Sequence, residues 1–580
     1  MPLWKLPKTE LPPSSFLRQC FIRVSKRSVA CIVVLTITVL LAIGVSSFQR
    51  PETGVQATQA QSPEPGSVLG PEKAEPRYPI GGYFIAASSR DSTNIKKLTD
   101  IKASGGDTVI TFGTLLQPAT LESLPDDCEI DGKNCARAAA GSVSVDRYFT
   151  FLDGSNWAAS ALQCPRDRKV SNNGQSYSVL VLPKVGTGCS SSNGKYDVVV
   201  VGGASSSAVD PSRSLALAAT KLGMKFFAGM PAPIKSAELP YLPDVSYQGT
   251  LALFTERFLT YQAKTNDLPG LAGFYHHTEM PLTDSPAFDS VLALYSTQNS
   301  AIHRILPTRQ AVVSPFIDAR VGTGISPDKA SKGIRRIAQT SGGLVLNIAI
   351  QDGMGTGKGG AFHSREANSA VDPQAATIVG DGTWGSKYLA PNKDYFSAAA
   401  VGISGTGAVL WANLEGMAPA TKWNGCADSR RGQTTKARLD RQLQQMSAAR
   451  KVVSFMWDSY FTCKGTGTPL KEQIESGLGT PIITDTALLP ETGQLEILGF
   501  NLRGSTASLK WTTTDGSVHK KQVRASTRDS AYGAQHGMNP QLEMITVNIG
   551  ASSLASPMNY SVQVINAWEV KSTEFHSQIR

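Results

Sequence analysis

From Tyr78 to Thr462 short apolar runs alternate with longer amphipathic stretches, the pattern of β/α units in which a buried strand is followed by a helix packed on it. YPIGGYFIAAS (78–88) reads as the first strand, STNIKKLTDIKASG as its helix, and DTVITFGT (107–114) as the second strand. MKFFAGMPA (224–232), LAGFYHHTEM (271–280), TRQAVVSPFIDAR (308–320) and LVLNIAIQDGMG (344–355) continue the series, and AVLWANLEGM (408–417) and KVVSFMWDSYFT (451–462) complete it. The stretches between them, such as TLALFTERFLTYQAKTND and TTKARLDRQLQQMSAAR, have helical periodicity. Eight such units predict an α/β fold, a (β/α)8 TIM barrel over 78–485. An open Rossmann sheet would need a glycine-rich phosphate turn after its first strand, and GYFIAASSR offers none.

Two segments break the alternation. Residues 115–212 are rich in Gly, Ser and Cys, contain the strand-like YDVVVVGG (196–203), and are far too long for a loop, so they read as an inserted subdomain. Near Leu489 the period changes to two: QLEILGFNL, ASLKWTTTDGSV, LEMITVNIG and NYSVQVINAWEV, with turn signals between them, predict a β-sandwich (Ig-like) domain over 486–580. GTGKGG (355–360) lacks the spacing of a nucleotide-binding loop and reads as a mobile lid or loop.

The N-terminal region adds a different solvent. Residues 28–48 (SVACIVVLTITVLLAIGVSSF) are uncharged and long enough as a helix to cross a hydrocarbon core of about 30 Å. A cleaved signal would have a shorter apolar core and an A-x-A site, so the reading is an uncleaved transmembrane anchor. Residues 1–27 carry Lys5, Lys8, Arg18, Arg23, Lys26 and Arg27 against Glu10, a basic tail expected in the cytoplasm. Residues 49–77, with hardly a large apolar side chain, read as a disordered stalk. The expected protein is single-pass in the cell membrane, with its barrel outside the cytoplasm.

Charge and cysteines narrow the chemistry. The net charge is +10, of which +5 sits in the basic tail; the rest is dispersed without a basic block, which argues against nucleic acid as a partner. Outside the anchor lie Cys128, Cys135, Cys164, Cys189, Cys426 and Cys463. In an exported domain they suit disulfides, and proximity within each region favours 128–135, 164–189 and 426–463 among fifteen connectivities. Zinc is the alternative, but no C-x-x-C or neighbouring His pair has ligand spacing. Neither a metal nor a cofactor is expected.

Glu279 and Glu415 each follow one of the buried runs, the fourth and the seventh, at the mouth where such barrels do their chemistry. Facing carboxyls there suit glycoside hydrolysis: one delivers a proton to the leaving oxygen, the other attacks or activates water on the opposite face. A gap of about 5–5.5 Å gives retention and roughly 6.5–9.5 Å gives inversion. The arrangement resembles clan A glycoside hydrolases, the 4/7 superfamily. The runs GFYHHTEM, VVSPFIDAR, AIQDGMG and LWANLEGM, in that order, are also similar to an uncharacterised family of TIM-barrel glycosidases within that clan. The resemblance covers 78–470 without the insertion. It implies a retaining enzyme with Glu279 as acid/base and Glu415 as nucleophile. The Asn that clan A places before the acid/base is here Thr278, so His276 or His277 is expected to take over its sugar contact, only one of the two facing the mouth because strand residues alternate sides. The resemblance also puts Trp457 beneath the sugar, with a non-proline cis peptide expected after it.

Tyr275 and Trp411 are further candidates for stacking on sugar faces, and Asp318, Asp352, Asn413 and Asp458 for polar substrate contacts. The expected function is a membrane-anchored glycoside hydrolase acting on an envelope or secreted polysaccharide. A non-catalytic glycan-binding or assembly protein on the same barrel, or a transglycosylase, are the alternatives.

Overall fold

The computed structural model describes residues 75–580 apart from 187, 424, 427, 429, 514–515, 551–557 and 580. The basic tail, the apolar stretch at 28–48 and nearly all of the stalk lie outside the described residues; among those described, no helix is long and apolar enough to cross a membrane.

Eight parallel strands close into a barrel: β1 (Gly82–Ile85), β2 (Thr108–Thr111), β3 (Lys225–Gly229), β4 (Leu271–Tyr275), β5 (Gln310–Val313), β6 (Leu346–Gln351), β7 (Val409–Glu415) and β8 (Lys451–Phe455). Each runs beside its neighbours in chain order, and β8 closes on β1 through Gly82 and Val453. Helices follow the strands in turn: α1 (Asp91–Ala103), α2 (Pro211–Leu222), α3 (Gln248–Thr265), α4 (Asp289–Ile305), α5 (Pro327–Ala338), α6 (Asn392–Ile403), α7 (Lys436–Leu443) and α8 (Leu470–Ser476). The apolar runs are longer than the strands because they continue into the mouth: β4 stops at Tyr275, four residues before Glu279, and β8 stops at Phe455 before a π-helical turn over Trp457–Phe461.

One inward apolar side chain per strand fills the barrel: Phe84, Ile110, Phe227, Tyr275, Val312, Ala349, Trp411 and Val453 form a single buried cluster. Phe112, Phe455 and Met456 lie against it. The barrel is thus a packed plug, and chemistry is confined to the rim above it.

The insertion is a sheet with strand order 232–233, 115–119, 144–151, 195–205, 175–183 and 168–172. Strand alternation gives it two apolar faces. Phe149, Phe151, Leu180, Leu182, Val199 and Val201 join the main core, where Trp157 stacks on Tyr261 of α3 at 4.6 Å. Val179, Val181, Val198 and Val200 pack instead with the helix Cys135–Ala140, which the Cys128–Cys135 disulfide ties down. Cys164–Cys189 and Cys426–Cys463 are the other two bonded pairs, as proximity in the sequence suggested.

The C-terminal region is two four-stranded antiparallel sheets, opened by the strand Ile482–Leu489. Leu495, Ile497, Ile545 and Val547 of one sheet share a core with Leu509, Trp511, Val562 and Val564 of the other. It is fastened to the barrel by polar bonds: Asn501 Nδ2 donates to Leu478 O and Thr480 O at 3.1 and 3.2 Å, and Asn566 Nδ2 donates to Gly479 O at 2.7 Å. Phe575 meets the His363 ring at 4.6 Å between centroids.

Because the plug has one residue per strand, Phe227→Ala removes the contribution of β3 and leaves a cavity facing Trp411. We expect a loss of about 3–5 kcal/mol in urea denaturation; a loss below about 1 kcal/mol would show that the interior is not close-packed.

Candidate active site

Trp411, Asn413 and Glu415 lie on the inward face of β7, because strand residues alternate. Trp411 belongs to the plug and meets Phe227 edge-on at 5.9 Å. One pleat higher, Asn413 Nδ2 donates to Ser314 Oγ at 3.0 Å. Glu415 ends the strand at the rim, only 4% exposed.

The carboxylate of Glu415 is held by the loop after β6. Thr356 donates to its Oε2 from the backbone N–H at 2.9 Å and from the hydroxyl at 3.2 Å, and the Gly355 N–H adds a further bond. The approach demands glycine: a Cβ on Gly355 would stand 2.8 Å from Glu415 Cβ and 2.4 Å from Met417 Cγ. GTGKGG is therefore a loop, as the sequence suggested, and it acts as a clamp. Lys358 N and Gly359 N donate to Gly353 O at 2.8 and 2.9 Å, and Tyr388 Oη donates to Gly357 O at 3.0 Å. Asn392 accepts from Gly360 N at 3.1 Å and donates to Asp352 O at 2.7 Å.

Asp352, fully buried, stands behind Glu415. Its Oδ1 accepts from the Glu415 and Met354 N–H groups, both at 3.2 Å, and its Oδ2 accepts from Gln442 Nε2 at 2.6 Å. The same Gln442 amide donates to Glu415 O at 3.2 Å. Burial, and next the Glu415 charge, raise the pKa of Asp352 to about 7. Burial also raises that of Glu415, against its bonds to Gly355 and Thr356 and the field of Lys358. Two carboxyls so close and so dry do not both ionise readily, so the pair retains a proton toward neutral pH.

Glu279 is an exposed residue on the loop after β4, in contrast to the buried Glu415. Its Oε1 accepts from Tyr275 Oη at 3.2 Å, and the Gln351 amide donates to the carboxylate. Desolvation by the surrounding walls raises its pKa, opposed by those two bonds and by the charges of Lys358 and Lys235. Lys358 thus acts on both glutamates.

The other expected contacts divide. His277 is at the rim: its Nδ1 donates to Gly113 O and its ring lies 5.6 Å from that of Phe112. Burial lowers its pKa, so the ring is neutral and Nε2 is an acceptor. His276 is 1% exposed on the other side of the strand, between Gln298 Oε1 at 2.7 Å and Asn299 Oδ1 at 2.8 Å, away from the mouth. Tyr275 and Trp411 are core residues of the plug, with no open face to offer a sugar, although the Tyr275 hydroxyl reaches Glu279. Asp318 is engaged by Arg320 at 2.6 and 2.9 Å. Asp458 is taken by Lys97 at 2.6 Å and the Ala86 N–H at 2.8 Å.

Trp457 is turned outward, 3% exposed, its ring 4.8 Å from that of Tyr83 and stacked on Phe461. The non-proline cis peptide lies between Phe455 and Met456, two residues before the expected position. Phe455 is the aromatic of β8 that faces the mouth, 5.8 Å from Phe112. Strand parity could have found it, since it stands two residues beyond the inward Val453. Thr356, Lys358, Gln351 and Gln442 had no comparable signal. Among the described residues, no cluster of His, Cys, Asp and Glu could hold a metal ion.

No family model matches the sequence, and no curated protein matches it. Solved structures do. One is a Bacteroides thetaiotaomicron protein described as a candidate alpha-L-fucosidase, with 13% identity over 72% of this chain and 98% of that chain and a TM-score of 0.39. Another is the endo-beta-1,4-mannanase from Thermotoga petrophila, with 9% identity over 88% and 99% and a TM-score of 0.37. A third is a Bacteroides uniformis beta-glucuronidase, with 10% identity over 63% of this chain and 40% of that chain and a TM-score of 0.27.

Proposed function

We propose that the protein is a retaining glycoside hydrolase in which Glu279 is the general acid/base and Glu415 the nucleophile. The observation that carries this reading is the unequal setting of two carboxyls at one barrel mouth. Glu415 is buried and immobilised by the Gly355 and Thr356 donors, while Glu279 is exposed on the loop after β4, its pKa raised by desolvation against bonds from Tyr275 and Gln351. Glu279 then protonates the leaving oxygen as Glu415 attacks the anomeric carbon. Glu279, now a base, draws a proton from the water that releases the glycosyl enzyme. Asp352 and Glu415 titrate as one buried pair that shares a proton, burial raising both.

The resemblance to clan A supports the retaining assignment, and the substrate class that fits it is a polysaccharide or oligosaccharide. With the apolar stretch at 28–48 as a membrane anchor, that substrate is an envelope or secreted glycan met outside the cytoplasm. Thr278 in place of the usual Asn favours the second reading, a glycan-binding protein on the same barrel. A transglycosylase would share the covalent step and differ in the acceptor.

Glu279→Gln should lower kcat/KM by roughly 10²–10⁴-fold on substrates with poor leaving groups, and far less on activated aryl glycosides. Azide should restore turnover of the latter. Equal losses on both substrate types would remove Glu279 as the proton donor.

Asp352→Asn tests the buried pair. The folded pKa of Asp352 lies above its unfolded value of 3.8, so its contribution to stability is complete below about pH 4 and is lost as pH rises through about 7. Urea midpoints of the wild type should therefore fall more between pH 5 and pH 8 than those of the variant. The acid limb of kcat/KM should also move to lower pH in the variant, because Glu415 loses a competing carboxyl. An unchanged acid limb and parallel stability profiles would refute the coupling.

A further inference from the structure

The cations near the mouth are not treated alike. Lys97 is bound by Asp458, Arg320 by Asp318 and Arg431 by Asp428. Lys358 and Lys235 have no carboxylate at ion-pair distance among the described residues. Lys358 is half-buried, and its Nζ stands 3.9 Å over the Phe316 ring. Phe316 pairs with Gln351 in β6 register and donates its N–H to Met280 O, beside Glu279, at 3.0 Å. Two residues before Lys358, Thr356 grips Glu415. The ammonium is therefore fixed between the supports of the two glutamates. Lys235 enters from the loop after β3 and is exposed.

A partly buried ammonium without a counter-ion is costly unless an anion arrives to meet it. Packing over an aromatic face offsets part of that cost and fixes the side chain. Lys358 and Lys235 bring positive charge to the mouth that no described carboxylate meets at ion-pair distance, a surplus open to an anion. A neutral sugar would not use that surplus.

We propose that Lys358, with Lys235, forms an anion subsite that selects a sugar bearing a carboxylate or sulfate beside the bond to be cleaved. This rests on the hydrolase reading for its chemistry, although the recognition itself does not require turnover. Lys358 is fixed by its clamp and its aromatic face, and Lys235 is exposed on the loop after β3.

The test presents the full-length chain with matched neutral, uronic-acid and sulfated oligosaccharides and measures turnover in the wild type and binding in Glu415→Gln. Uronic-acid or sulfated glycans should be preferred, the two arms telling which anion is read. Lys358→Met should weaken binding and kcat/KM for those glycans by about tenfold to a hundredfold, the worth of a charge-assisted hydrogen bond. In the Glu415→Gln background the ratio of acidic to neutral binding should fall by that factor, whatever the change in turnover, and Lys358→Arg should retain the preference, which separates charge from folding. Preference for neutral glycans would overturn the subsite and leave the hydrolase reading standing; equal losses on neutral and acidic glycans would assign Lys358 to holding the glutamates instead. Acidic glycans bound but never cleaved would overturn the hydrolase reading and keep the subsite, and neither binding nor turnover would remove both.

Discussion

The loop after β6 passes so close to the end of β7 that only glycine fits at position 355, and this contact governs the mouth. Burying a carboxylate costs several kcal/mol unless donors replace the water it loses. Here the Gly355 and Thr356 N–H groups and the Thr356 hydroxyl do so for Glu415. The same loop carries Asp352 behind the glutamate and Lys358 in front of it, and Asn392, Tyr388 and Gln442 fasten it from other elements. Release of the clamp would free the Glu415 carboxylate, uncouple Asp352 and displace Lys358 together.

Beneath that loop the barrel separates structure from chemistry by height. The layer with Trp411, Tyr275 and Phe227 is dry and packed, and Glu415 stands two pleats above Trp411 on the same strand face. Tyr275 is the one member of the layer that touches both levels, its ring in the plug and its hydroxyl on Glu279. The insertion packs through Trp157 on α3, and the C-terminal sheets are fastened through Asn501 and Asn566 to the chain after α8.

The barrel was legible because each strand is an apolar run bounded by a helical period, and the period of two in the tail exposed its sheets. The boundaries were not. Apolar residues also line the mouth and the outer core, so the run from 451 to 462 hides both the end of β8 and the turn after it. That is why Trp457 seemed to face the mouth while Phe455 does. The two glutamates were visible because acidic residues rarely end buried runs without cause. Their supports come from distant loops, where no local pattern distinguishes Thr356 or Gln442 from ordinary polar residues. Of the paired histidines, alternation predicted that one would turn away, and the bonds to Gln298 and Asn299 identify it as His276.

The central claim is that Glu415 is a nucleophile held in place by the loop after β6. The most direct measurement is intact-protein mass spectrometry of the chain after incubation with activated fluoro-glycosides, including uronic-acid types, followed by peptide mapping. The account predicts one covalent glycosyl adduct on Glu415, absent from Glu415→Gln. Turnover of a glycoside with no adduct in either protein, or an adduct on another carboxyl, would contradict it.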